Sequence, residues 1–209
     1  MIHCVIFDMD GTLVDSETLC SQAYKDLVPE ITEPVESLVG LYSGRKLAWI
    51  INDIEKRFKC SLPEKFEQSY RQRVATLFNS NLKAFPGVHE ALESIEIPIC
   101  IATSAPLKKV DHVLSIAGLT QYFNENLFSS YEIGSWKPEP GIFLHAAKSM
   151  SVLPRNCLVV EDSAAGIEAA LSAGMKVAQF CNARPALCDT VFSDYGEFVE
   201  LISTLRTAD

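Results

Sequence analysis

Four short apolar runs rich in β-branched residues punctuate the chain: Ile2–Phe7, Ile97–Ala102, Cys157–Val160 and Lys176–Phe180. Each is strand-length, and each gives way to polar or small residues. Between them the apolar spacing turns helical over Val88–Ser94, Pro106–Ala117, Gly141–Met150 and Ala164–Ala173. Gly118 and Gly174 follow two of these helices, where a left-handed C-terminal cap belongs. Strands alternating with helices predict a doubly wound α/β core, a parallel sheet covered on both faces. Strands that are apolar throughout, rather than at every second position, suit that double burial.

One stretch breaks the rhythm. From about Glu17 to Asn81 no strand-like run appears, and the pattern predicts helices at Thr18–Leu27, Lys46–Arg57 and Glu64–Phe78, with Pro63 suited to a helix start. The expected organisation is a core of residues 1–15 and 82–209 and an all-helical insert of residues 16–81. The chain re-enters the core near Phe85-Pro86-Gly87, and no repeat or low-complexity segment interrupts it.

Composition narrows the partners. The chain has 209 residues, 48% of them hydrophobic, enough for one sizeable core with a small accessory domain. A net charge of −9 argues against nucleic acid and anionic membranes as partners. No N-terminal leader pattern is visible, and no apolar run approaches the roughly 20 residues of a membrane span. The cysteines at 4, 20, 60, 100, 157, 181 and 188 form an odd set without a C-x-x-C pair. They read as small hydrophobes in a reducing compartment, and a cytoplasmic protein is expected.

In an open parallel sheet, ligands bind beyond the carboxyl ends of the strands. Asp8, Asp10, Gly11 and Thr12 follow the first strand, Thr103 and Ser104 the second, and Glu161 and Asp162 the strand Cys157–Val160. Lys137 follows Leu127–Trp136, a segment with room for a further short strand. This topology gathers carboxylates, hydroxyls and one ammonium at a single edge. Grouped carboxylates repel one another unless a cation lies between them, and all-oxygen donors suit a hard ion such as Mg²⁺. Hydroxyls, loop amides and a lysine suit a phosphoryl group. Asp8 and Asp10 are two residues apart, so in an extended chain both face one substrate, one as nucleophile and one as proton carrier. Each element alone has a plainer reading. Asp-x-Asp-Gly also makes surface turns and calcium loops, although Thr12–Glu17 lacks the other calcium-loop ligands. Thr103 or the Glu161-Asp162-Ser163 segment can cap a helix, and Lys137 can be a solvated turn lysine.

Taken together and in this order, Asp8-Met9-Asp10-Gly11-Thr12, Ala102-Thr103-Ser104, Trp136-Lys137-Pro138-Glu139-Pro140 and Val160-Glu161-Asp162-Ser163-Ala164-Ala165-Gly166 resemble the four motifs of the haloacid dehalogenase-like hydrolase superfamily. The resemblance implies a Rossmann-like core with a helical cap of the first type. It implies that Asp8 is the nucleophile and a Mg²⁺ ligand. It makes Asp10 the general acid/base, with a backbone carbonyl as ligand. Thr103, Ser104 and Lys137 would hold the phosphoryl group, with Lys137 also neutralising Asp8. Glu161 and Asp162 complete the metal site. A cis Lys137–Pro138 bond is also implied. Ser43-Gly44-Arg45-Lys46 corresponds to the substrate-specificity loop, where Gly44, Arg45 and Lys46 would meet the substrate. Ser16–Tyr24, Leu127–Ile133 and His145–Lys148 further resemble the bacterial 6-phosphogluconate phosphatase group, whose substrate carries both a phosphate and a carboxylate. The expected partner is thus a small phosphate ester, hydrolysed by a monomer.

Competing readings remain in view. A dehalogenase does not need Asp10, and a phosphonatase typically lacks that acid. A β-phosphoglucomutase carries a histidine on its first cap helix, where this chain has Cys20. A non-catalytic phospho-ligand binding protein on the same fold is the alternative from outside enzymology, and loss of Asp8 or Asp10 would have favoured it.

Overall fold

The computed structural model describes residues 1–43, 45–181 and 185–207, with backbone alone at 206 and 207. In chain order the elements begin with β1 (Cys4–Phe7) and four helices, α1 (Ser16–Leu27), α2 (Val35–Tyr42), α3 (Leu47–Phe58) and α4 (Phe66–Asn81). There follow α5 (Val88–Ser94), β2 (Ile99–Thr103), α6 (Leu107–Ala117), α7 (Thr120–Phe123), β3 (Leu127–Ser129) and α8 (Ser130–Ile133). The chain closes with α9 (Gly141–Ser149), a 3-10 turn at Pro154–Asn156, β4 (Cys157–Glu161), α10 (Ala164–Ser172), β5 (Lys176–Phe180), β6 (Val191–Phe192) and α11 (Tyr195–Thr207).

Two compact units result: Met1–Val14 together with the chain from Lys83 onward, and Asp15–Leu82. The sequence division left Asp15 and Leu82 with the core, but helix ends claim both. The Asp15 carboxylate accepts from the Thr18 N–H at 3.3 Å and caps α1, and the Leu82 N–H donates to the Phe78 carbonyl as α4 ends.

In the first unit the strands form a parallel sheet of order β3-β2-β1-β4-β5-β6 among the described residues. Alternate residues of β1 serve opposite faces. Cys4 and Ile6 join Ile142, Phe143 and Ala146 of α9 and Ile167 and Ala170 of α10 in one buried layer. Phe7 meets Phe123 of α7 and Phe198 of α11 edge-on, with ring centroids 6.1 and 5.8 Å away. Burial on both faces is what makes β1 apolar at every position. Gly118, at φ 70°, ends α6, and Gly174, at φ 71°, follows α10.

The second unit packs α1 against α2 and α4 around an interior of its own. Tyr24 and Tyr70 stack with centroids 4.3 Å apart, and Tyr42 closes edge-on against Tyr24. Helix α2 was not expected from the sequence, because Gly40 and Gly44 with Pro34 mark the stretch as a loop and only Leu38 and Tyr42 of its residues are buried. Pro63 does not open α4; its carbonyl accepts from the Phe66 N–H in the turn ahead of the helix. Among the described residues no helix is long and apolar enough to cross a membrane. All seven cysteines are free thiols, with Cys4, Cys100 and Cys157 buried between the strands and helices of the first unit.

Candidate active site

The strand order places β1 in the middle of the sheet, with β2 on one side and β4 on the other. The chain winds outward from β1 to β3, then returns to build β4 to β6, so the switch in direction lies at the β1–β4 pair. A crevice forms at such a point beyond the carboxyl ends of the strands. There the Asp8 N–H donates to the Val160 carbonyl at 2.9 Å, bringing the residue after β1 beside the end of β4. Beyond Asp8 the chain turns sharply. The Gly11 N–H donates to the Val14 carbonyl at 2.9 Å, and Gly11 takes φ +81°. A Cβ at Gly11 would also lie 2.6 Å from Asp162 Oδ2, so glycine is required both for conformation and for space. The Thr12 hydroxyl donates to Asp162 Oδ1 at 3.0 Å, and the Thr12 carbonyl accepts from the Tyr195 hydroxyl at 2.8 Å.

Lys137 lies just before a cis Lys137–Pro138 peptide, and its side chain is 6% exposed. Its Nζ is 2.5 Å from Asp8 Oδ1 and 2.6 Å from Glu161 Oε1, and it sits 5.0 Å over the Phe143 ring. The other Glu161 oxygen accepts from the Asp162 and Ser163 N–H groups at 2.9 and 2.8 Å and from the Ser163 hydroxyl at 2.9 Å. Ser163 also caps α10, accepting from the Gly166 N–H at 3.1 Å, so the helix-cap reading of this motif holds for Ser163. A Cβ on Gly166 would overlap the Glu161 carboxylate, so the glycine leaves room for that side chain.

Asp8, Glu161 and Asp162 are all buried, and each offers one oxygen within 4.8 Å of the others. Two of the three, Asp8 and Glu161, bond to the Lys137 ammonium. Burial pushes the Asp8 carboxyl up to about 7; Lys137 opposes that shift, and Glu161 adds to it. Burial alone would lower the Lys137 ammonium, but the Asp8 and Glu161 charges outweigh it and hold it above the ordinary lysine range. The two directions pull against each other, because an isolated ion pair would lower its acid. A divalent cation would favour the charged form of Asp8 and reverse its shift. Buried, all-oxygen donors with excess negative charge fit such an ion.

Asp10 is near enough to Asp8 for its charge to help raise the Asp8 carboxyl. Both Asp10 oxygens are 2.8 Å from Lys109 Nζ, a partner that the sequence did not suggest. The Thr103 hydroxyl accepts from the Ala105 N–H at 3.1 Å, and the Ser129 hydroxyl donates to the Ala105 carbonyl at 2.7 Å, so the loop after β2 is held from two sides. Ser104 is exposed. Arg45 and Lys46 are exposed residues of the second unit at the start of α3, with the Arg45 guanidinium 4.9 Å over the Trp49 ring. Gly44 lies outside the described residues. The sequence reading gave no role to the Thr12 hydroxyl, to Lys109 or to Gly166. Glycine in the first turn of a helix was the available signal for Gly166.

A family model described as haloacid dehalogenase-like hydrolase matches residues 2–174. The chain is 40% identical over 183 residues to the 6-phosphogluconate phosphatase of Escherichia coli, covering 86% of this chain and 83% of that one. It is 33% identical to a phosphorylated carbohydrates phosphatase of Thermotoga maritima, covering 84% of this chain and 83% of that one. Among solved structures, a conserved haloacid dehalogenase-like protein of unknown function from Agrobacterium tumefaciens superposes with a TM-score of 0.88 at 29% identity, covering 99% of this chain and 100% of that one.

Proposed function

The chain belongs to the haloacid dehalogenase-like hydrolase family, and from that premise we propose that it is a Mg²⁺-dependent phosphatase acting through an aspartyl-phosphate on Asp8. The observation that carries the reading is the Lys137 ammonium bonded at once to Asp8 and Glu161, with Asp162 completing a buried carboxylate group. Asp8, Glu161 and Asp162 would hold the metal, joined by the Asp10 carbonyl. When bound, Mg²⁺ supplies charge compensation for the phosphoryl oxygens.

Asp8 attacks phosphorus, the ester P–O bond breaks, and Asp10 gives its proton to the departing alkoxide. Asp10 then takes a proton from water as the water oxygen bonds to phosphorus. The acyl-phosphate P–O bond breaks, releasing inorganic phosphate and restoring Asp8. Lys137 keeps Asp8 oriented and balances its charge. Thr103 and Ser104 serve the phosphoryl oxygens.

The substrate proposed is a phosphorylated sugar acid of the 6-phosphogluconate kind, with Gly44, Arg45 and Lys46 selecting its non-reacting end. The identity to the Escherichia coli 6-phosphogluconate phosphatase supports this class, as does the exposure of two cations that match a carboxylate. The test is phosphate release from 6-phosphogluconate, glucose phosphates, phosphoglycolate and an aryl phosphate, with and without Mg²⁺. Mg²⁺-dependent turnover with 6-phosphogluconate preferred is expected. Absence of turnover under any divalent ion removes the phosphatase reading, and preference for another ester removes the substrate.

A further inference from the structure

The two aspartates of the Asp8-Met9-Asp10 segment bond to different lysines. Lys137, which precedes α9, serves Asp8 and Glu161. Asp10 has both oxygens 2.8 Å from the ammonium of Lys109, 99 residues away in sequence. Lys109 stands in the first turn of α6, as does Lys108, and that turn holds no acidic residue. Cations at a helix N-terminus oppose the helix dipole, so the placement is locally unfavourable. Where a sequence breaks a local rule, the compensating interaction is the place to look. Here that interaction is a bidentate pair, partly withdrawn from solvent at 31% exposure for the lysine and 23% for the aspartate.

From this geometry, and resting on the phosphatase reading above, we infer that Lys109 is the positioning residue of the proton carrier. It fixes the Asp10 carboxyl plane so that one oxygen stays aimed at the leaving group. A carboxylate oxygen has two lone pairs, so an oxygen bonded to Lys109 keeps one for the transferred proton. The division of labour is physical. One ammonium shared by both aspartates would tie the aim of the acid/base to the charge state of the nucleophile, which changes when the phosphoryl group arrives. Separate lysines leave Asp10 aimed through both half-reactions.

The inference separates leaving groups. An alkyl alkoxide needs a proton as it departs, whereas 2,4-dinitrophenolate leaves without one. Single turnovers with enzyme in excess, followed for an alkyl phosphate and for 2,4-dinitrophenyl phosphate, read this difference. Lys109→Met is expected to slow alkyl ester cleavage by about 10-fold or more and to slow 2,4-dinitrophenolate release by less than about 2-fold. Lys109→Arg, which can also grip a carboxylate with two donors, is expected to recover most of the alkyl rate. Equal slowing of both esters overturns the inference and makes Lys109 a phosphoryl contact. Unchanged rates on both also overturn it. A wild-type protein that cleaves neither ester with any divalent ion defeats the underlying phosphatase reading instead. Lys109→Gln repeats the comparison if the methionine variant melts early.

Discussion

The two units handle charge in opposite ways. Among the described residues, the buried charged side chains Asp8, Glu161 and Asp162 belong to the sheet-bearing unit. Among the described residues of the helical unit, the fully buried polar residues are Ser16 and Ser21, and the interior is filled by Tyr24, Tyr70, Leu38 and Ile54. Its ion pairs, such as Arg71–Glu67 and Arg57–Asp53, stay at the surface. A buried carboxylate is costly unless each oxygen is met. In the first unit the meeting groups come from several segments, so that one changed residue unsettles the rest. In the second, an oily interior leaves the exposed residues free to vary with little structural penalty. The proposed chemistry falls in the unit with buried charge, and the proposed choice of substrate in the unit without it.

That contrast can be broken by substitution, beginning with the largest effect. Asp8→Asn should lower phosphate release on the order of 10⁴-fold or more for every substrate alike, because an amide cannot attack phosphorus. A residual rate within tenfold of wild type would place the nucleophile elsewhere. Gly166→Ala, which touches no substrate, should cost about 10²-fold in turnover and roughly 1–3 kcal/mol of stability, since the new methyl displaces Glu161 from Lys137. Steady-state kinetics with thermal melting check it, and a near-normal variant would mean that the carboxylate has room to move. Arg45→Ala in the helical unit should leave aryl phosphate turnover near wild type. It should weaken kcat/KM for an anionic sugar phosphate by about 10-fold, the worth of one charge-assisted hydrogen bond. Equal losses on both substrates would show that the residue does not select. Smallest of all, Arg71→Ala should cost under about 0.5 kcal/mol in a denaturant titration, because that pair is exposed at both ends. A loss of several times that amount would contradict the view of the helical unit as tolerant at its surface.

The fold was legible where burial writes a pattern. β1, β2, β4 and β5 stand out because both faces of the sheet are covered, and α5, α6, α9 and α10 because one stripe of each is buried. β6 spans only Val191 and Phe192, too short to make a run, and α11 follows it with no strand signal to frame it. For the site, motif order was the guide: Asp8, Thr103, Glu161 and Asp162 lie at or just after a strand end, and Lys137 comes after β3 and the short helix α8. The Lys109 link to Asp10 was not legible. It depends on how α6 lies against the turn after β1, and Lys108-Lys109 by itself reads as a solvated helix face. The glycine constraints were hidden for a similar reason, since a missing Cβ acquires meaning only when Asp162 or Glu161 occupies the space beside it.

The β1–β4 junction also bears on timing. In a growing chain, Asp8 is made more than a hundred residues before Lys137, Glu161 and Asp162, the residues that meet it at the sheet edge. Under the proposed mechanism, Asp8 gains its full set of partners only when β4 joins β1, so a ribosome-bound fragment ending before β4 is expected to be inactive.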